Sequence, residues 1–168
     1  MIPYLIIAIS LIFDGILTNF LPFLVNNLSI FTPLLTLVSL IVIYPFYRKD
    51  ENKYLLIAFI TGIIYDLFYT NLIFFNGVLF FVIALINLLI QKNVSLNAIN
   101  LLFETIGIII IYESLTGLVL FAYNMVPITF YKVFYKIIHS LLLNIIYTEV
   151  VYYIIKIIPK RYKKISIN

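Results

Sequence analysis

Acidic side chains inside apolar stretches are the residues of this 168-residue chain whose types could do chemistry. A carboxylate held in lipid-like surroundings could relay protons, line a transport path or form a buried pair with a basic residue. The clearest example is the stretch GIIYDLFYT, residues 62–70, whose acid stands between two tyrosines near the middle of an apolar run. The role of that carboxylate must be explained. Five acids lie in or near such runs: Asp14, Asp66, Glu104, Glu113 and Glu149.

The residue types exclude several kinds of site. The chain has no cysteine, which excludes disulfides and thiolate metal sites. Its single histidine, His139, cannot build a multi-histidine metal site, and no nucleophile stands with it at a matched depth. A glycine-rich phosphate loop and spaced metal ligands are also missing from the sequence. We therefore expect no enzyme and no cofactor. Nucleic acid is not an expected partner either, because no basic patch interleaves with aromatic residues.

The elements that must position these acids are predicted to be membrane helices. The chain is 64% hydrophobic and 11% charged, whereas a soluble domain is about half apolar and a quarter charged. Its apolar runs are continuous and do not alternate with polar residues as barrel strands do. We predict an all-α polytopic membrane protein, with residues 1–168 forming a single integral membrane domain. Six transmembrane helices are predicted, at about 3–20, 28–47, 54–70, 73–90, 99–123 and 128–157.

The positions of the basic residues predict the orientation. Basic residues fall in the second and fourth predicted loops and in the C-terminal tail, whereas the other three loops have none. Six spans place all of them on one side of the membrane, and positive charge marks the cytoplasmic side. Both termini are therefore predicted to be cytoplasmic, and the tail could contact anionic lipid or a cytoplasmic partner. The residues concerned are Arg48, Lys49, Lys53, Lys92, Lys156, Lys160, Arg161, Lys163 and Lys164.

Helical periodicity predicts which faces point into the bundle. On span three, a small and polar sector opposes a bulky one, so we expect Asp66 to point inward in the outer half of the membrane. The inward sector is Ala58, Gly62, Tyr65, Asp66 and Tyr69, and the outward one is Ile57, Ile60, Ile64, Leu67 and Phe68. The polar faces on the other spans are Ser10, Asp14 and Thr18; Glu113, Gly117 and Asn124; and Lys132, Lys136, Ser140, Asn144 and Tyr147, with His139 at the edge.

These faces predict a buried polar network. We expect Asp14 and Asp66 to pair with Lys132, and Glu113 to pair with Lys136 or His139. Such pairs could hold helices in register, serve transport or proton relay, or dock a partner. Two further acids are left out of the network: Glu104 is expected to be a solvated residue at the cytoplasmic start of span five, and Glu149 has no assigned role. Glycines 62 and 117 are expected to be packing residues.

The segment GIIYDLFYTNLIFFNG, residues 62–77, resembles the signature of the MreD family of rod-shape-determining membrane proteins. Gram-positive-type members often read G-x-x-Y-D-x-x-Y-T, and an acid in span five and a late LLLN in span six are further likenesses. Members usually carry a glycine eight residues after the aspartate, where this chain has Phe74. The matching positions are Gly62, Tyr65, Asp66, Tyr69 and Thr70, then Glu113 in IIYESLTG, and Leu141 to Asn144.

The resemblance implies a non-catalytic scaffold of the bacterial cell-elongation complex, in the plasma membrane. Such a protein is expected to bind MreC, and through it MreB, a SEDS glycan polymerase and a class B penicillin-binding protein. Its fold would be similar to the substrate-binding component of energy-coupling-factor vitamin transporters. That component is therefore the alternative function. It would show Ala-x-x-x-Ala on span one and a tryptophan-rich outer pocket, and this chain has neither that motif nor any tryptophan. A small exporter or flippase is a third class.

Overall fold

The computed structural model describes residues 2–24, 32–70, 72, 74–95, 97–122 and 130–157, with the backbone alone described at 20–24, 130 and 132. Within these ranges the chain is helical and contains no strand, which confirms the all-α fold class. Residues 158–168, which hold most of the predicted basic tail, lie outside the described ranges. The helices are α1 (Ile2–Leu24), α2 (Leu35–Ile43) followed by one 3₁₀ turn (Tyr44–Tyr47), α3 (Glu51–Tyr69), α4 (Phe75–Asn93), α5 (Ala98–Ala122) and α6 (Phe130–Ile157).

Four helices of the described chain, α1, α4, α5 and α6, are long and apolar enough to cross a membrane. Helix α3 has 19 residues. It begins at Glu51 because the carboxylate of Asp50 accepts a hydrogen bond from the backbone N–H of Lys53, as an N-cap residue does. Because four of its helices are long and apolar enough to cross a membrane, the protein is a membrane-embedded, multi-pass helical bundle.

Helix α2 corrects the predicted span 28–47. Residues 32–34 are not helical, and α2 with its 3₁₀ turn runs only over Leu35–Tyr47. Thirteen residues at about 1.5 Å per residue reach roughly 20 Å, short of the ~30 Å hydrocarbon thickness. Pro33 accounts for the non-helical residue Thr32, because a proline disfavours helical geometry in the residue before it. Every residue of α2 is buried, so this short helix forms the centre of the bundle.

The other predicted bounds are close to the observed ones, but α1 continues to Leu24, whereas the first span was predicted to end at about residue 20. Helices α3 and α4 form the most closely packed pair, followed by α5 and α6, while α2 contacts α1, α4, α5 and α6. The predicted inward face of α3 is confirmed at Gly62, Tyr65 and Asp66, which are all buried. Ile57 was predicted to face outward and is buried instead, because α3 also packs against the 3₁₀ turn.

Candidate functional site: acids that cap neighbouring helices

The carboxylate of Asp66 caps the N-terminus of the next helix. Its Oδ2 accepts hydrogen bonds from the backbone N–H groups of Asn76 at 2.8 Å and Gly77 at 3.3 Å. Its Oδ1 accepts from the Asn76 side-chain amide at 2.8 Å and from the Thr70 hydroxyl at 2.7 Å. The first N–H groups of a helix have no partner within the helix. Asp66, which is 1% exposed, therefore fixes the α3–α4 hairpin by satisfying them.

Phe74, the residue at the N-cap of α4, has a left-handed backbone with φ of 69°. Its side chain makes no capping hydrogen bond, so the cap comes from Asp66 on the preceding helix. A left-handed conformation costs a residue with a Cβ roughly 1–2 kcal/mol and costs glycine little.

Asp14 makes the same kind of cap in the middle of the bundle. Its Oδ1 accepts from the backbone N–H of Leu35 at 2.8 Å, and its Oδ2 accepts from the N–H of Thr36 at 2.8 Å and from the Thr36 hydroxyl at 2.6 Å. The preceding N–H, of Leu34, donates to Oδ1 of Asn144 on α6 at 3.0 Å. Because this helix start is buried, its N–H groups depend on side chains of α1 and α6.

The predicted pairing of Asp14 and Asp66 with Lys132 falls on a side chain outside the described part of the structure. Both carboxylates are already engaged by neutral donors, as given above. Thr18, predicted to share the inward face of Asp14, is exposed instead. Its hydroxyl donates to the backbone carbonyl of Asp14 at 2.7 Å, a local bond that lets a threonine face lipid without an unpaired hydroxyl.

Glu113 pairs with Lys136, whose Nζ lies 2.9 Å from its Oε2, and this confirms one of the two pairings predicted for this acid. Glu113 is 1% exposed, whereas the lysine side chain is 29% exposed. His139, the other predicted partner, has its Nδ1 at hydrogen-bond distance, 2.8 Å, from the backbone carbonyl oxygen of Tyr135, and its ring packs against the Tyr135 ring.

The buried acids of three helices share a pattern that the sequence did not reveal. Helices α1, α3 and α5 each place one buried acid in contact with the next helix in the chain.

The tyrosines of the motif differ in role. Tyr65 is buried and packs against Phe80 on α4. Tyr69 donates its hydroxyl to the backbone carbonyl of Leu11, joining α3 to α1. Gly15 lies against that ring, and a Cβ there would meet Tyr69 atoms within 3.1 Å. The predicted motif residues therefore fix α3 against both α4 and α1.

Helix α6 carries the predicted polar face, and two of its residues, Asn144 and Tyr147, contact α1 and α2. Asn144 caps α2, and the Tyr147 hydroxyl lies 2.6 Å from the hydroxyl of Ser10 and 3.3 Å from that of Ser39. Asn124, predicted on the α5 face, lies outside the described residues. Glu149 is half-buried and gains no assigned role.

A second buried polar cluster was missed from the sequence. Gln91 Nε2 on α4 donates to Oε2 of Glu104 on α5 at 3.0 Å and to Oδ1 of Asn87 at 3.0 Å. Asn87 in turn donates to the Tyr54 hydroxyl at 2.6 Å. Glu104 was predicted to be solvated and is only 8% exposed, because these polar side chains of α3 and α4 draw it inward. The detectable signal was two amides four residues apart on one helix, Asn87 and Gln91.

An apolar groove of about 530 Å³ lies between α1 and α6 on the outside of the bundle. Leu35 of α2 and Tyr147 of α6 contribute to its lining, together with aliphatic residues of both helices. Asp14, the buried acid of α1, does not line it. The buried acids described above are therefore not part of this groove.

Comparison with protein families, with curated proteins and with solved structures finds no match for this chain.

Proposed function

We propose that this chain is an MreD-like, non-catalytic scaffold of the bacterial cell-elongation complex, in the plasma membrane with both termini cytoplasmic. The observation that carries the proposal is the G-x-x-Y-D-x-x-Y-T stretch, residues 62–70, in which the aspartate caps the next helix. In this role Asp66 sets the shape of the α3–α4 hairpin. The partner is an MreC-like protein, through which MreB, a SEDS glycan polymerase and a class B penicillin-binding protein are reached.

The way in which the acids are bonded supports a structural role. Each oxygen of Asp14 and Asp66 accepts at least one hydrogen bond from a neighbouring helix end. A general acid or base must instead offer an oxygen to its substrate. The conformation at Phe74 gives further support, because a left-handed residue is where a glycine is favoured, as the family pattern has it.

The alternative, a substrate-binding component of a vitamin transporter, needs a pocket that can hydrogen-bond its substrate. The groove between α1 and α6 has an apolar lining, which suits lipid or another helix better than a polar vitamin. We therefore rank the scaffold first.

The test of the proposed function is co-purification from membranes. The tagged chain is co-expressed with the MreC-like protein of its own bacterium, and in a parallel culture with the membrane coupling subunit of a vitamin transporter. We expect the MreC-like protein to be retained in detergent and the coupling subunit to be lost. Depletion of the chain should also make rod-shaped cells round. Retention of the coupling subunit alone, with normal cell shape after depletion, would refute the scaffold.

The variant Asp66→Asn separates the two ways in which this acid could serve a scaffold. Four hydrogen bonds end on the carboxylate, and an amide can accept only on its oxygen. We expect a loss of about 1–3 kcal/mol of stability together with the loss of partner binding. Unchanged thermal stability with partner binding abolished would mean that Asp66 acts on the partner and not on the hairpin.

A further inference from the structure

Glu149 on α6 differs from the other acids of the apolar runs, because its carboxylate has no partner among the described residues. The other four acids, on α1, α3 and α5, cap a helix start, form an ion pair or accept a side-chain amide. Glu149 makes neither a hydrogen bond nor an ion pair within the described chain. Ionisable residues inside a membrane are expected to have partners. The partner of Glu149 must then be sought outside the described bundle.

Glu149 lies inside the hydrocarbon and not at its edge. It is eight residues from the end of α6 at Ile157, or about 12 Å along the helix axis. The apolar part of α6, Val133–Ile157, has 25 residues and reaches roughly 37 Å, which exceeds the ~30 Å hydrocarbon by a few ångströms at each end. The backbone of Glu149 is therefore roughly 8 Å inside the hydrocarbon, deeper than a glutamate side chain can span.

The side of α6 that carries Glu149 faces away from the bundle. Leu142, Ile146 and Tyr153 are each more than half exposed. Together with the half-buried Glu149 they follow at intervals of four, three and four residues, which place all four on one side of the helix. Two helices that pack side by side in a membrane interlock through this spacing. The Glu149 stripe, residues 142, 146, 149 and 153, is therefore a surface on which another helix can pack.

Helix α6 itself does not supply a cation at the depth of Glu149. The next basic residue towards its end is Lys156, seven residues or about 10 Å away, and its ammonium lies over the Tyr152 ring. In the other direction the next basic residue is Lys136, thirteen residues away, which pairs with Glu113. A positive charge beside Glu149 must come from a different molecule.

A second copy of this chain does not supply that charge either. Two copies share one orientation in the membrane, so the second copy presents its basic residues at the same depths as the first. Anionic lipid has the wrong sign of charge. Apart from Lys136 in α6, the basic side chains that the structure describes lie in or beside helix ends: Arg48, Lys49, Lys53, Lys92 and Lys156.

We propose that the Glu149 stripe binds a transmembrane helix of another protein, and that this helix carries an arginine or lysine at the depth of Glu149. That depth is seven or eight residues from the end of the partner's span. The basic side chain donates charge-assisted hydrogen bonds to the carboxylate, and these are strong where water is excluded. Apolar side chains of the partner pack against Leu142, Ile146 and Tyr153. Ile146 also lines the groove between α1 and α6, so the docked helix extends the contact to the edge of that groove.

This inference rests on the proposed scaffold function in one respect, that the chain has a partner in the membrane. It adds the surface on which the partner docks and the residue type that the partner must carry. The chemistry of the stripe is the same whether or not that partner is the MreC-like protein.

The test is energy transfer between the labelled full chain and a labelled synthetic helix in vesicles of phosphatidylcholine, which carries no net charge. One peptide is a leucine and alanine helix of about 22 residues with a single arginine eight residues from one end, and the matched peptide has leucine there. We expect the wild type to bind the arginine peptide about five- to thirtyfold more tightly than the leucine peptide. Glu149→Gln should lose this preference. Glu51→Gln is the matched control, because it removes an exposed acid at the start of α3 and should behave like the wild type.

Reversal of both charges gives a second measurement if Glu149→Gln does not fold. Glu149→Lys should prefer a peptide with glutamate at the test position to the arginine peptide. The proposal fails if the wild type binds the arginine and leucine peptides alike, or if Glu149→Gln keeps the preference for arginine. It also fails if energy transfer between two labelled copies of the chain depends on Glu149, because a second copy then occupies the stripe.

The docking surface and the scaffold function can fail separately. Co-purification of the MreC-like protein without any preference for the arginine peptide refutes the docking surface and leaves the scaffold standing. Preference for the arginine peptide with the MreC-like protein lost in detergent supports the docking surface and refutes the MreC-like partner.

Discussion

Replacing Gly62 by alanine tests whether the close approach of α3 and α4 holds the motif hairpin together. A Cβ built at Gly62 would contact the backbone of α4, lying 2.6 Å from the carbonyl carbon of Asn76 and 2.7 Å from Cα of Gly77. Backbone cannot rotate away as a side chain can, so the two helices must separate. Separation lengthens the bonds from Asp66 to the same two residues, 76 and 77.

The magnitude for Gly62→Ala follows from three terms. Overpacking costs about 1–3 kcal/mol, and weakening of the cap adds about 1 kcal/mol. Alanine returns up to about 1 kcal/mol through its higher helix propensity. We expect a net loss of roughly 1–3 kcal/mol in the free energy of unfolding, measured by reversible unfolding in mixed micelles of a mild detergent and dodecyl sulfate.

Gly107 on α5 provides the matched control for Gly62, because a Cβ there meets nothing within 4 Å. Gly107→Ala should be neutral or stabilising by up to about 1 kcal/mol. Partner binding should fall for Gly62→Ala and remain for Gly107→Ala. Equal stability of the two variants would refute the inference that the α3–α4 approach requires a glycine.

Two further variants test the other contacts. Phe74→Gly should be more stable than Phe74→Ala by about 1 kcal/mol, because both lose the ring but only glycine relieves the left-handed backbone; equal thermal unfolding of the pair would contradict this. Lys136→Leu leaves Glu113 unpaired and should lose stability by somewhat less than the roughly 3–5 kcal/mol of a fully buried pair, since the lysine is partly exposed. Adding Glu113→Gln should restore most of that loss, and a double variant no more stable than the single one would rule out the pair.

The sequence predicted some of these features because they follow from one helix at a time. Helical periodicity predicted that Asp66 and Gly62 face inward, and both are buried. Matched depth in the membrane predicted Lys136 as one of two partners of Glu113, and the two side chains form an ion pair. The start of α2 could not be predicted, because its caps, Asp14 and Asn144, come from other helices. The hydrogen-bond partners of a buried acid depend on which helices pack together, and the periodicity of a single helix does not reveal that packing.

The exposure of Glu104 was predicted wrongly for a different reason. Its place near a predicted helix end indicated solvent, and the predicted end of span four at residue 90 left Gln91 in a loop. The observed α4 continues to Asn93 and brings that amide against the carboxylate. An error of three residues in one helix boundary therefore changed the assignment of a residue on another helix.

The buried start of α2 has a consequence for the order in which the protein is assembled during synthesis. Asp14, which caps Leu35 and Thr36, is made before them, but Asn144, which caps Leu34, is made 110 residues later. Helix α2 is too short to cross the membrane by itself. Until the last helix enters the membrane, the backbone N–H of Leu34 at its N-terminus also lacks its cap. The central helix of the bundle therefore reaches its final bonding only when the sixth helix arrives.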